Sequence, residues 1–419
     1  MAISRGSESP ANSSLGVDIG SLASQAEVRS ALAWLRTQEP QFADWQLELA
    51  RIPAPPFGET ARAEWLSTNF RKLNLARVHI DDAGNVLGQY VDGGPPYVAV
   101  SAHMDTVFPA GTPLNIRQHG SRLYGPGVSD NGAGITALLA VAGALQAAKV
   151  PAHMSILFIA NVGEEGEGDL RGMRHIFSHS QWKDSIRYSV VLDGAGADTI
   201  VSEALGSRRF EVIVRGPGGH SWSDFGTPNP ILALAGVIHE FGRTAVPSSP
   251  KTTFNIGVIR GGTSVNSIPE SASMRVDIRS TSTLEMERLE AVLRHELELA
   301  IQHESRSSHA RGLSARREHP LSCEVVEIGN RPGGELDENA RMHKVIRAVD
   351  AYLGNVAHIQ RASTDANIPL SLGREAIAIG GGGAGGGAHT LQEWFDCAGR
   401  DLGLKRILLT VLALAEVTG

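Results

Sequence analysis

Short apolar runs that stop abruptly at clusters of His, Asp and Glu constrain this chain more than any other feature. Residues 97–100 run into Ser101-Ala102-His103-Met104-Asp105, and residues 154–160 into Asn161-Val162-Gly163-Glu164-Glu165-Gly166. Residues 188–192 run into Asp193-Gly194, and residues 376–379 lead through a glycine loop to Gly387-Ala388-His389. A further cluster, Gly127-Val128-Ser129-Asp130-Asn131-Gly132, stands directly before a long Ala- and Leu-rich run at 132–149. These β-type runs alternate with helical spacing at 26–35, 61–73 and 132–149. Such alternation predicts an α/β domain with a mostly parallel central sheet flanked by helices. In an open sheet of that kind ligands bind beyond the carboxyl ends of the strands, which is where the clusters fall.

A second pattern interrupts the first. Residues 210–214 and 272–278 alternate apolar and polar, as strands of a half-solvated sheet do. Helical spacing lies between them near 230–241 and follows near 284–301. The polar stretch 304–320 has no periodicity and reads as an exposed loop. The first pattern resumes at 336–353 and 376–379, and closes in a helix near 402–414. The simplest arrangement is one α/β domain carrying an inserted, smaller α+β domain. Its parts are a flexible N-terminal tail over 1–25, the α/β domain over 26–206 and 329–419, and the insertion over 207–328.

Composition narrows the partners. The net charge of -7 and the lack of a basic run argue against nucleic acid. No apolar run approaches the roughly 20 residues needed to cross a bilayer, so no membrane partner is expected. Residues 1–24 have no continuous apolar stretch and do not read as a signal peptide. The two cysteines, Cys323 and Cys397, form no CxxC and are expected as small buried apolar residues. Their usage suits a reducing compartment, and a cytoplasmic location is expected.

The clusters have the chemistry of a metal centre. Divalent ions such as zinc take imidazole nitrogen and carboxylate oxygen. Two ions sharing a carboxylate can clamp a hydrolytic water between them. A further carboxylate that is not a ligand is needed to take the proton from that water. Glu164 and Glu165 are adjacent and cannot point the same way if extended, so one can bind metal while the other faces the water. His103 and Asp105 lie on one face, which lets Asp105 hold His103 through its second ring nitrogen. A serine hydrolase would need G-x-S-x-G, and a helical zinc site H-E-x-x-H; neither is present. Gly381, Gly383 and Gly386 fit a dinucleotide pattern, but no helical spacing follows them directly.

His103-Met104-Asp105, Asp130-Asn131-Gly132, Glu164-Glu165-Gly166, Asp193 and His389 together resemble the metal motifs of the M20 metallopeptidase family. That family includes glutamate carboxypeptidase, peptidase T, the acetylornithine deacetylase and succinyl-diaminopimelate desuccinylase group, and aminoacylase. The likeness runs in order along the chain after residue 26. It implies a catalytic α/β domain with an inserted lid that mediates dimerisation in many members. It implies two divalent metal ions, with Zn2+ first and Co2+ or Mn2+ as other choices. Asp130 would bridge both ions, His103 and Asp193 would complete one site, and Glu165 and His389 the other. Glu164 would be the general base.

The lid segment carries further matches. Gly218-Gly219-His220-Ser221 resembles the family's lid histidine motif, and His220 would polarise the scissile carbonyl, often across a dimer interface. Residues 263–269 resemble a segment whose Asn266 helps hold substrate. Arg279, and Arg331 in Gly329-Asn330-Arg331-Pro332, would clamp a substrate carboxylate, for which a planar guanidinium fork is suited. The chain departs from many relatives by having Asn131-Gly132-Ala133 after the bridging Asp. Residues 363–367, Gly387-Ala388-His389-Thr390 and Glu393-Trp394 fit best with a peptidase T-like or dipeptidase-like branch. The expectation is hydrolysis of the amide bond of a small peptide by a homodimer joined through the lid. An N-acyl amino acid deacylase is the alternative, and an inactive binding relative a further one.

Overall fold

The computed structural model describes residues 18–90, 94–310 and 320–416. A nine-stranded sheet organises the larger part of the molecule. Its order is Ala76–Ile80, Val86–Tyr90, Ser155–Asn161, Tyr97–His103, Ile186–Leu192, Glu375–Ile379, Thr199–Ala204 and Gly334–Glu335, with His358–Ala362 also paired to Thr199–Ala204. The four strands from Ser155–Asn161 to Glu375–Ile379 are parallel neighbours. Antiparallel pairs stand at both margins. The central strands are buried on both faces, which explains why they read as continuous apolar runs.

Alternation along Tyr97–His103 sorts the two faces. Val98, Val100 and Ala102 pack with the helices Ala26–Thr37, Gly132–Ala148 and Arg400–Leu414, whereas Tyr97 and Ala99 join Met173 and Ile176 of the helix Arg171–Ser178. Helix Gly132–Ala148 is apolar all round because it is buried between the sheet and outer helices. At Gly143 a Cβ would come within 2.6 Å of Trp34, so glycine there permits the close approach of Ala26–Thr37. Among the described residues no helix is long and apolar enough to cross a membrane.

The second sheet is antiparallel, in the order Thr252–Gly261, Ser271–Ser280, Gly206–Arg215, Ser322–Arg331. Phe210, Val212, Val214, Met274, Val276 and Ile278 form its own core with the helices Pro230–Phe241 and Thr283–Ala310. The molecule is thus an α/β unit built on the nine-stranded sheet, with an inserted, smaller α+β lid.

Several expectations differ from the structure. Residues 1–17 of the expected N-terminal tail lie outside the described residues, but Ile19–Ser24 is a helix. Asp18 caps it, accepting the Ser21 N–H at 3.0 Å, and Ile19, Leu22 and Ala23 enter the main core. The expected loop 304–320 begins as helix, since Thr283–Ala310 continues through it and Glu304 is buried against the Asn229 N–H at 3.1 Å. Residues 311–319 of that loop lie outside the described residues. Strand Ser322–Arg331 runs past residue 328, so hydrogen bonding ties Arg331 to the lid sheet opposite Ser207. Cys323 is exposed and Cys397 half-buried rather than core residues; Cys323 lies on an edge strand.

Candidate metal centre

Parallel register brings the polar clusters together. His103 ends its strand beside Asn161, the last residue of the neighbouring strand. Glu164 and Glu165 follow that second strand, and Asp193 follows the third. Asn131 then fixes Asp130 against Asp193. Its Oδ1 accepts the N–H groups of Gly134 at 3.0 Å, capping the long helix, and of Gly194 at 3.1 Å. Its Nδ2 donates to the carbonyl of Leu192 at 2.9 Å. The asparagine that marks a departure from many relatives therefore has a definite structural role. The peptide bond between Asp130 and Asn131 is cis. His389 arrives from the glycine loop after Glu375–Ile379, with a backbone φ of 66° that few side-chain-bearing residues adopt.

The two oxygens of Asp130 face different histidines. Oδ1 lies 3.2 Å from His103 Nε2, and Oδ2 lies 3.0 Å from His389 Nε2. His103 Nε2 is also 3.8 Å from Asp193 Oδ1, and His389 Nε2 is 3.1 Å from Glu165 Oε1. Ligand atoms of His103, Asp130 and Asp193 all lie within 4.8 Å of one another, as do those of Asp130, Glu165 and His389. The two groups share Asp130. His103, Glu164 and Glu165 form a third such group. Asp130 Oδ1 is buried and makes no hydrogen bond among the described residues. An orphaned carboxylate oxygen amid imidazole nitrogens and further carboxylates fits divalent cations of the nitrogen- and oxygen-binding kind.

Without cations these groups perturb one another strongly. Burial opposes charge on His103, but the carboxylates of Asp105, Asp130 and Asp193 outweigh it and raise its pKa well above the ordinary 6.5. The hydrogen bond to Asp130 leads the causes that raise His389 to about 9, against partial burial. Burial opposes ionisation of Asp130 too, yet the two imidazoles hold it well below the usual carboxylate range. Burial first, and then the charge of Asp130, push Glu165 up to about 7. Burial likewise raises Glu164, partly offset by the charge of Arg331.

Asp105 faces both His103 and the loop that carries the two glutamates. Its carboxylate stands 3.6 Å from His103 Nδ1, beyond hydrogen-bond length, and the ring nitrogen is instead 3.2 Å from the Asp105 backbone carbonyl. The carboxylate oxygens are taken by the N–H groups of Glu164 at 3.0 Å and Glu165 at 2.8 Å. Both backbone groups thus point at Asp105, which orients the loop carrying the two glutamates.

Arg331 is paired with Glu164 on the cavity wall. It is buried, and its Nη1 donates to Glu164 Oε1 at 2.8 Å and to Ser363 Oγ at 3.2 Å, while Nη2 donates to the Glu164 carbonyl. Both terminal nitrogens of the guanidinium are thus engaged by Glu164.

A cavity of about 600 Å³ opens over these groups, lined by His103, Asp130, Glu164, Glu165, Asp193 and His389 and by Arg209, Arg279 and Arg331. Asp277 spans two of the arginines, accepting Arg209 Nε at 3.1 Å and Arg279 Nε at 2.7 Å. Sequence reasoning missed Arg209; its cross-strand register with Asp277 was the missing signal. It also missed Asp365, buried behind the centre and accepting Asn161 Nδ2 at 2.7 Å. His220 and Asn266 are not among the residues lining this cavity. They lie together on the lid, where Gly219–His220 pairs with Ser267–Ile268 and the Ser221 N–H donates to the Asn266 carbonyl at 3.0 Å. His220 Nδ1 accepts the Trp222 N–H at 3.1 Å, so a neutral ring carries its proton on Nε2.

Comparison with known proteins agrees with this geometry. A model of the peptidase family M20/M25/M40 matches residues 99–413. A "probable carboxypeptidase" of Aspergillus clavatus is 31% identical over 206 residues, 44% of this chain and 44% of its own length. The chain spans about half the length of the curated relatives it matches. Among solved structures, the aminopeptidase PepT of Bacillus cereus is similar with a TM-score of 0.70 at 19% identity, covering 90% of this chain and 99% of its own. A dinuclear metal-binding peptidase of Bacillus subtilis is similar with a TM-score of 0.64 at 14% identity, covering 91% and 100%.

Proposed function

The chain belongs to the peptidase family M20/M25/M40, and from that premise we propose that it is a two-metal hydrolase of the amide bond in small peptides. The observation that carries the reading is Asp130, whose two carboxylate oxygens address the two histidines of two ligand groups. His103 and Asp193 would hold one cation with Asp130, and Glu165 and His389 the other. Zn2+ is the first choice and Co2+ or Mn2+ the others, because each accepts this donor set. When bound, such a pair lowers the pKa of a shared water and polarises the scissile carbonyl.

The protein's own groups supply the rest. Glu164, buried beside both ligand groups, takes the proton of the attacking water and returns it to the leaving amine. Arg331 holds one oxygen of Glu164 in place, which leaves the other for proton transfer. Arg209 and Arg279, splayed by Asp277, receive a carboxylate of the substrate. His220 and Asn266 would be delivered from the lid of a second copy, with His220 Nε2 donating to the developing oxyanion. The edge strand Thr252–Gly261 and exposed Ile259, Leu232 and Val265 supply a surface on which such a homodimer could form.

The test is a hydrolysis screen of dipeptides, tripeptides and N-acetyl amino acids with and without added Zn2+ or Mn2+. The reading expects metal-dependent release from a peptide with a free carboxylate. Cleavage restricted to N-acetyl amino acids selects the deacylase alternative. No metal-dependent cleavage in any arm contradicts the reading.

A further inference from the structure

One buried carboxylate near the centre has no part in the chemistry just described. Glu393 is fully buried, and both its oxygens are spent on one short segment. Oε2 accepts the N–H of Gly127 at 2.8 Å, and Oε1 accepts those of Ser129 and Asp130 at 2.7 Å each. The Glu393 carbonyl meanwhile accepts the Gly125 N–H at 2.9 Å. The strand that follows, Trp394–Asp396, pairs antiparallel with Arg122–Tyr124 and so locks Glu393 beside residues 125–130. A buried charge is costly unless it is paired and hydrogen-bonded. The buried guanidinium of Arg62 supplies positive charge between Asp105 and Glu393, while itself held by the carbonyls of Ile52 at 2.8 Å and Met104 at 2.7 Å.

The arrangement around Glu393 mirrors the one at Asp105. Asp105 gathers the backbone N–H groups of Glu164 and Glu165, and Glu393 gathers those leading to Asp130. These two ligand-bearing loops are thus each threaded over one buried carboxylate. Gln46, whose Nε2 donates to the Val128 carbonyl, holds the same loop from outside, but only Glu393 takes the backbone N–H groups of Gly127, Ser129 and Asp130 among the hydrogen bonds of the described residues.

We propose that Glu393 is a positioning residue for the metal centre: it holds the 127–130 loop so that Asp130 can serve both cations. The proposal rests on the two-metal reading above. Glu393→Gln tests it without changing size. An amide offers one oxygen and one donor, so in either orientation at least one backbone N–H meets another donor. Chelator-stripped wild type and variant are titrated with Zn2+ against a competing indicator, and the metal-free proteins are melted in parallel. The expected result is a variant that melts as wild type does without metal yet binds Zn2+ about 10–100-fold more weakly, the usual cost of losing an outer support of a metal ligand. If Glu393→Gln does not fold, Glu393→Asp keeps both acceptors one methylene short, and the same loss is expected. Unchanged Zn2+ affinity in a folded variant overturns the proposal, as does failure of both variants to fold, which assigns Glu393 to the fold alone. Wild type that takes up no Zn2+ removes the two-metal reading itself, which is a distinct outcome.

Discussion

Arg331 donates from Nη1 to Glu164 Oε1 at 2.8 Å, with both side chains buried. The pair joins the last residue of a lid strand to the loop that follows a strand of the central sheet. It therefore couples lid placement to the carboxylate assigned as general base. Arg331→Met leaves a buried carboxylate without its partner, and breaking such a pair costs about 3–5 kcal/mol. The expected kinetic signature is a fall in kcat of at least about tenfold with KM within about twofold, as for a group that acts only when the proton moves. Steady-state kinetics decide the point: a raised KM at unchanged kcat returns Arg331 to substrate binding.

Glu164→Gln is expected to keep metal and lose turnover by at least about 10²–10⁴-fold, the contribution of a positioned base. Metal analysis and kinetics on one preparation check both halves. Turnover near that of wild type removes Glu164 from the role.

Arg209→Ala and Arg279→Ala address the arginine pair held by Asp277. Each is expected to raise KM for a substrate with a free carboxylate by about tenfold or more, the scale of a charge-assisted hydrogen bond of about 1.5–3 kcal/mol. The same peptide with its carboxylate amidated is expected to lose the difference between wild type and variant. Equal losses on both peptides contradict carboxylate recognition.

Protonation and metal compete for the same side chains. His389 rises from 6.5 to about 9 through its bond to Asp130, and Glu165 from 4.5 to about 7, chiefly through burial. Both bind a proton more tightly folded than unfolded. Their stabilisation is complete below the unfolded values and is lost as pH climbs through the folded ones. Metal-free protein is therefore expected to show a Tm that falls from about pH 4.5, as Glu165 ionises, to about pH 9, as His389 loses its proton, while Zn2+ affinity rises between about pH 6.5 and 9 as the imidazole proton is displaced. Thermal melts with chelator across this range check the first half; a flat or rising Tm contradicts it.

The sequence disclosed the centre because ligand-type residues stop apolar strands, and parallel register carries those stops to one edge. His103, Glu165 and Asp193 needed nothing more than strand order to meet. The pairing of Arg331 with Glu164 was hidden because the partners are 167 positions apart and the lid register that aims the guanidinium leaves no local mark. Arg209 and Asp277 were equally hidden, being neighbours only through antiparallel pairing. Glu304 misled in the other direction: a polar segment without periodicity still extends a helix when one buried carboxylate caps the neighbouring helix start. Ile19–Ser24 escaped notice because six residues are too few to show a period.

The two-metal reading requires Asp130 to serve two cations at once. Equilibrium Zn2+ titration of chelator-stripped protein, read as ions bound per chain, tests it directly. Two ions per chain are expected for wild type, with loss of both tight sites in Asp130→Ala. Fewer than two ions on wild type, or two tightly held ions on Asp130→Ala, would contradict it.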